Sequence, residues 1–167
     1  TARVVKRAVG GVLFIDEAYS LMGDNFGQEA TNTILPMMLD YKGKMVCIAA
    51  GYPREIRQWI DTNSGLESRF TKVIHFEDYN PDELAQIFMM KAKKDKLTLT
   101  PEAENAMHAY FEELYNRRDR NFANAREVNN YFDRVKKNQS SRLRHEMERP
   151  DFDPASYGIL LQEDVNN

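Results

Sequence analysis

Short apolar runs alternate with longer stretches of helical periodicity through the first half of the chain. Val12-Leu13-Phe14-Ile15 and Met45-Val46-Cys47-Ile48-Ala49-Ala50 hold no polar residue, the pattern of strands buried on both faces of a parallel sheet. Val73-Ile74-His75-Phe76 reads as a third strand. Ahead of the first, Val4 to Val9 forms the last turns of a helix that Gly10-Gly11 stops. Residues 20–27 are polar and glycine-containing and read as a loop. Over 28–41, Ala30, Ile34, Met37, Met38 and Tyr41 share one helical face, and Pro36 is expected to kink that helix or end it early. Pro53 opens a short helix through Trp59 and Ile60, which the segment Asp61-Thr62-Asn63-Ser64-Gly65 breaks. Strands separated by helices imply an α/β layer with parallel strands.

The pattern changes after Asp78. Asn80-Pro81-Asp82-Glu83 is a helix start with a cap, a proline at the first position and a glutamate at the third; Leu84, Ile87, Phe88 and Ala92 supply its apolar face. Thr100-Pro101 starts another helix, with Ala103, Met107, Tyr110, Phe111 and Leu114 inward. Asn124-Ala125-Arg126-Glu127 reads as a second capping box, leading into Val128, Tyr131, Phe132 and Val135 and on towards Met147. A turn-rich link, Pro150 to Pro154, ends in Tyr157-Gly158-Ile159-Leu160-Leu161. The division expected is an α/β domain over 1–78 and a small helical domain over 79–167.

Composition narrows the function classes. The 167 residues are 42% hydrophobic and 29% charged, with a net charge of −3, which argues against a general nucleic-acid or membrane-surface binder. Cys47 is the single cysteine, so neither a disulfide framework nor a cysteine zinc site is available, and a reducing, cytoplasmic setting fits. No apolar run approaches the length of a membrane span. His75, His108 and His145 are widely spaced and show no metal-ligand pattern. The chain starts at Thr1 without a methionine and reads as an excised fragment. Lys91 to Lys94 and Arg134 to Arg144 are basic and helical. They read as a solvated face, or as a module for nucleic acid or an acidic protein.

The candidate chemistry lies where the first strand ends. Asp16 and Glu17 follow Ile15 at once, at the edge of a parallel sheet where ligands of open α/β folds sit. Asp16 could hold Mg²⁺ through water while Glu17 polarises an attacking water; an acidic loop after a buried strand is the other reading of the same residues.

Four stretches in register bear on that choice: Gly10-Gly11-Val12-Leu13-Phe14-Ile15-Asp16-Glu17-Ala18-Tyr19, Ile48-Ala49-Ala50-Gly51-Tyr52, Gly65-Leu66-Glu67-Ser68-Arg69-Phe70 and Phe122-Ala123-Asn124-Ala125-Arg126. Together they resemble an AAA+ ATPase of the group containing CbbX-type Rubisco activases, stage V sporulation protein K and the type VII secretion EccA proteins. The resemblance implies the C-terminal half of a P-loop NTPase parallel sheet followed by an all-α lid. It implies ATP and Mg²⁺ as cofactors, a homo-oligomeric, hexameric ring and a protein client. By position it makes Asp16 the Walker B ligand of Mg²⁺ and Glu17 the residue that activates water. Arg69 falls at the arginine finger that reaches a neighbouring subunit's γ-phosphate, a guanidinium role that contributes about 10³–10⁵ in rate. Arg126 falls at the sensor 2 arginine of the lid, and Tyr52 takes the sensor 1 position, where many relatives carry a polar residue such as Asn. No G-x-x-x-x-G-K-[S/T] loop occurs in the sequence, so the phosphate cradle is absent from it and the isolated chain is expected to be inactive. The sheet order of such folds puts a further strand between the second and third strands here, which implies an exposed strand edge.

Overall fold

The computed structural model describes residues 1–119 and 122–166. The chain divides into two compact units, Thr1–Phe76 and Glu77–Asn167.

The first unit opens with α1 (Ala2–Arg7), whose last turn carries Lys6 and Arg7 at the negative end of the helix dipole. Gly10 then adopts φ +87°, a conformation open to glycine without penalty, and the chain turns into β1 (Val12–Ile15). α2 (Asn25–Asp40) follows, then β2 (Val46–Ala49), α3 (Pro53–Asp61) and α4 (Ser64–Arg69). β1 and β2 pair in parallel, with Val12 opposite Val46 and Ile15 opposite Ala49. Leu13 packs with Val5 of α1 and Ile34 of α2, while Leu35, Trp59 and Leu66 gather with Ala18 in a second small cluster.

Several expectations need correction here. The strands are covered on one face only: Leu13 is buried, but Val12, Phe14, Val46 and Ile48 on the opposite face are exposed, Phe14 to 59%. An apolar run shows that both faces can be buried; a layer on each side is a tertiary matter. Residues 73–76 join no sheet among the described residues, and Val73 and Phe76 are 84% and 87% exposed. β-branched and aromatic content favours a strand only where a ladder partner exists. The expected loop at 20–27 is instead a 3₁₀ helix over Ala18–Met22 followed by the first turn of α2. Asp24 caps that turn, its Oδ1 accepting from the Gly27 amide at 2.7 Å. Gly27 is needed there, because a Cβ would lie 2.4 Å from the Leu21 carbonyl oxygen. Pro36 does not end α2, which runs on to Asp40. Pro36 and Asn32 are both exposed, so water can take the carbonyl that the missing N–H leaves unpaired.

The second unit comprises α5 (Pro81–Lys94), β3 (Thr98–Leu99), α6 (Pro101–Asn116), α7 (Ala125–Glu146), β4 (Ile159–Leu160) and α8 (Gln162–Val165). The capping box at α5 forms as the sequence implies: Asn80 Oδ1 accepts from the Glu83 amide at 3.0 Å and Glu83 Oε2 from the Asn80 amide at 2.8 Å. Thr100 caps α6 through the Ala103 amide. Phe88 sits at the centre of the core, edge-on to Phe132 at 5.2 Å and to Phe111 at 6.2 Å, and Tyr110 stacks on Tyr131 at 3.8 Å.

Three features of this unit depart from the sequence reading. β3 and β4 form a short parallel ladder, so the unit is not purely helical. Asn124 makes no capping bond to α7 and adopts φ +51°. Its Oδ1 accepts from the Tyr79 amide and its Nδ2 donates to Asp78 Oδ1, both at 2.8 Å. Nor is the basic run of α7 wholly solvated. The Arg142 side chain is 9% exposed and binds the buried Asp164 through Nε and Nη2 at 2.9 and 2.8 Å. That paired carboxylate, with Glu146, raises the Arg142 pKa. Gln139 donates to the Tyr157 and Ile159 carbonyls and Tyr131 to the Val165 carbonyl. The segment 157–165 is thereby tied along α7.

Candidate functional site

The ends of β1 and β2 are fastened to each other. The Ala50 amide donates to the Ile15 carbonyl at 2.8 Å and the Ala18 amide to the Ala50 carbonyl at 3.0 Å. Asp16 and Glu17 lie between those two bonds, and both are exposed. Asp16 Oδ1 accepts from the Glu17 amide at 3.1 Å, which fixes how its carboxylate leaves the strand. Glu17 takes the left-handed conformation, φ 47° and ψ 48°. For a residue with a Cβ this costs about 1–2 kcal/mol, and such strain concentrates at functional sites.

Tyr19 and Tyr52 lie near one another beyond the ends of β1 and β2, their ring centroids 6.5 Å apart. The Tyr19 ring lies so close over Gly51 that a Cβ there would be 2.7 Å from Tyr19 Cε1. Burial and the negative charge of Glu17 push the Tyr19 phenol above its ordinary pKa. The sequence pattern does not single out this tyrosine; its adjacency to Asp16-Glu17 is the available signal. Tyr52 is exposed at the mouth of α3 and makes no capping bond.

Arg69 ends α4, and its Nη1 donates to the Gly65 carbonyl at 3.0 Å and to Ser68 Oγ at 3.3 Å. It pairs with neither Asp16 nor Glu17 among the described residues, and its buried Nε has no partner. Glu67 faces Arg57 instead, at 3.6 Å. Thus Asp16, Glu17, Tyr19 and Tyr52 share one sheet edge, while Arg69 is folded back on its own helix. Arg126 belongs to the second unit; it is the second residue of α7, exposed, with no ion pair among the described residues.

A cavity of about 280 Å³ between the 3₁₀ helix, α2 and α3 contains none of these residues. Thr31 and Trp59 border it, and their Oγ1 and Nε1 atoms are buried without partners. The Cys47 thiol is pushed up to about 11 by burial, which keeps it protonated and unreactive at neutral pH.

The acidic edge fits magnesium in one respect. Mg²⁺ in phosphate-transfer sites takes one or two protein carboxylates and completes its shell with water and phosphate oxygens. Asp16 offers an exposed carboxylate held by a backbone amide, and among the described residues no group of three potential ligands competes for the ion. Among the described residues, no helix is long and apolar enough to cross a membrane.

Residues 80–167 match the AAA lid domain. The chain is 38% identical over 169 residues to protein CbbX of Cereibacter sphaeroides, covering 99% of this chain and 54% of that protein. It is 38% identical over 147 residues to the chloroplastic ribulose bisphosphate carboxylase/oxygenase activase of Cyanidioschyzon merolae, covering 86% of this chain and 50% of that one. Against the ESX-1 secretion system protein EccA1 of Mycobacterium tuberculosis it is 45% identical over 116 residues, 65% of this chain and 20% of EccA1. The chain spans about half the length of CbbX and of the algal activase, and less of EccA1. With an α/β unit whose first strand ends in paired carboxylates and a lid match over residues 80–167, the chain belongs to the AAA+ family, in the group that includes CbbX and EccA1.

Proposed function

We propose that the chain forms part of an AAA+ motor that couples ATP hydrolysis to the remodelling or threading of a protein client. The observation that carries this reading is the acidic pair: two exposed carboxylates held at the end of a parallel strand, with Glu17 in a strained conformation. Asp16 would hold Mg²⁺, whose chemistry when bound is to neutralise charge on the phosphates. Glu17 would take a proton from the attacking water. Tyr52 would contact that water or the nucleotide from the neighbouring strand end. Arg126 would follow the nucleotide from the lid. The phosphate cradle has no counterpart in these 167 residues and would have to be supplied by other sequence.

Among the described residues Arg69 pairs with neither Asp16 nor Glu17 of its own unit, which supports action on a neighbouring copy in a ring, a hexamer by analogy with the family. The rival reading, a binding module built on the basic helices, is weakened by how those side chains are used. Lys91 bonds Asn129, Lys136 pairs with Asp95 and Arg142 with Asp164. The similarity to the chloroplastic activase suggests ribulose bisphosphate carboxylase/oxygenase as one client class, and that to EccA1 suggests secretion substrates.

Complementation in the longest natural chain that contains these residues tests the arrangement. Glu17→Gln and Arg69→Ala should each abolish ATP turnover, and an equimolar mixture should recover part of it. In the mixture, intact Arg69 on one subunit can serve intact Glu17 on the next. Recovery absent from the mixture would contradict action in trans, and full activity of either variant alone would contradict its role.

A further inference from the structure

The chain enters the second unit at Glu77, and the three residues after it are each tied down. Asn80 belongs to the capping box of α5. The Tyr79 amide donates to Asn124 Oδ1, and Asp78 Oδ1 accepts from Asn124 Nδ2, both at 2.8 Å. Arg118 Nε faces the other Asp78 oxygen at 3.8 Å. One side chain, that of Asn124, therefore fastens the entry segment to the start of α7. An asparagine ahead of a helix ordinarily accepts from an amide of the first turn, and this one makes no such bond. Its backbone, φ 51° and ψ −122°, has the angles of the first central residue of a type II′ turn, a place that glycine takes without strain. The turn covers residues 123–126 and is closed by Arg126 itself, whose amide donates to the Ala123 carbonyl at 2.9 Å. The next amide, that of Glu127, donates to the Asn124 carbonyl at 2.9 Å. Glycine would satisfy the backbone at 124; what the asparagine adds is the pair of bonds to Asp78 and Tyr79.

We infer that Asn124 is a positioning residue for Arg126: it locks the turn that Arg126 closes onto Asp78 and Tyr79, so that the Arg126 side chain starts from a backbone fixed to the segment by which the chain enters this unit. Arg126 is exposed, and the backbone it springs from is its anchor. With Asn80 tied into the first turn of α5 and Asn124 holding the two residues before it, the entry segment, the start of α5 and the start of α7 move together, and Arg126 moves with them.

The inference rests on the reading of Arg126 as the lid residue that meets the nucleotide, and the test separates the two. In the longest natural chain that contains these residues, Asn124→Gly keeps the turn and removes both side-chain bonds. It should lower kcat/KM for ATP about tenfold, within the range that a misplacement of about 1 Å can cost. In an Arg126→Ala background it should cause no further loss, because both changes then act through one side chain. Asn124→Asp sets a carboxylate against that of Asp78 and should be at least as damaging. Adding Asp78→Asn exchanges amide and carboxylate between the two positions, and should restore most of the activity. Hydrogen exchange in a peptide over residues 77–82 should show the Tyr79 amide losing protection in Asn124→Gly. Wild-type kcat/KM in Asn124→Gly beside an impaired Arg126→Ala would overturn the inference alone. So would a loss that adds to that of Arg126→Ala, a Tyr79 amide that stays protected, or an exchanged pair that restores nothing. Wild-type kcat/KM in Arg126→Ala would overturn the underlying reading with it. If Asn124→Gly does not fold, Asn124→Asp and its rescue by Asp78→Asn decide the matter by the same measurement.

Discussion

The two units bury apolar surface differently. In Glu77–Asn167, α5, α6, α7 and the last strand close around one continuous core in which Leu84, Phe88, Met107, Phe111 and Val128 are fully buried. In Thr1–Phe76 the buried residues form two small clusters, and the sheet leaves Val12, Phe14, Val46 and Ile48 open on one face. The lid holds itself together through long-range packing. In the α/β unit the order is concentrated at the strand ends, where backbone bonds tie β1 to β2 on either side of the acidic pair and the Tyr19 ring lies over Gly51. Exposed apolar faces of this kind mark surfaces that another layer covers.

Four substitutions break or sharpen the contrast. Phe88→Ala removes the ring at the centre of the lid core and should cost about 4 kcal/mol, read by hydrogen exchange in α5, α6 and α7. Asp164→Ala strands the buried Arg142 and should cost about 3 kcal/mol. That loss should be accompanied by faster exchange at Ile159–Val165, the segment the pair ties down. Asn80→Ala removes one half of the capping box and should cost about 1 kcal/mol, seen as fraying confined to the first turn of α5. Phe14→Ser, on the open sheet face, should shift stability by no more than about 0.5 kcal/mol. The reporter is Trp59, the single tryptophan and a buried residue of the first unit. A loss at Phe14 as large as that at Phe88 would show the face to be covered in solution and end the comparison.

What was legible in the sequence follows from the range of each interaction. The Asn80–Glu83 box and the Thr100 cap are completed within three residues, so composition and spacing suffice to find them. The two paired strands and their order were visible in the apolar runs. Asn124 sits in an equally good capping context, yet its side chain is taken by Asp78 and Tyr79, 46 and 45 residues away. Arg142 reads as one more charge on a basic helix, and only Asp164, 22 residues later, makes it a buried partner. Val73 to Phe76 has the composition of a strand without a ladder to join among the described residues. At the site, the acidic pair was legible from its place after an apolar run, whereas Tyr19 was not singled out. The Tyr19 ring lies over Gly51, just past the end of β2, and that contact has no local signature.

The most direct measurement is the split between ATP retention and turnover in Glu17→Gln, made in the longest natural chain and compared with the unsubstituted protein. If Glu17 activates water, the variant binds ATP with unchanged affinity, retains it unhydrolysed and loses turnover by orders of magnitude. Turnover at the unsubstituted rate, with ATP released as ADP, would contradict the account and leave the acidic pair as a structural turn at the end of β1.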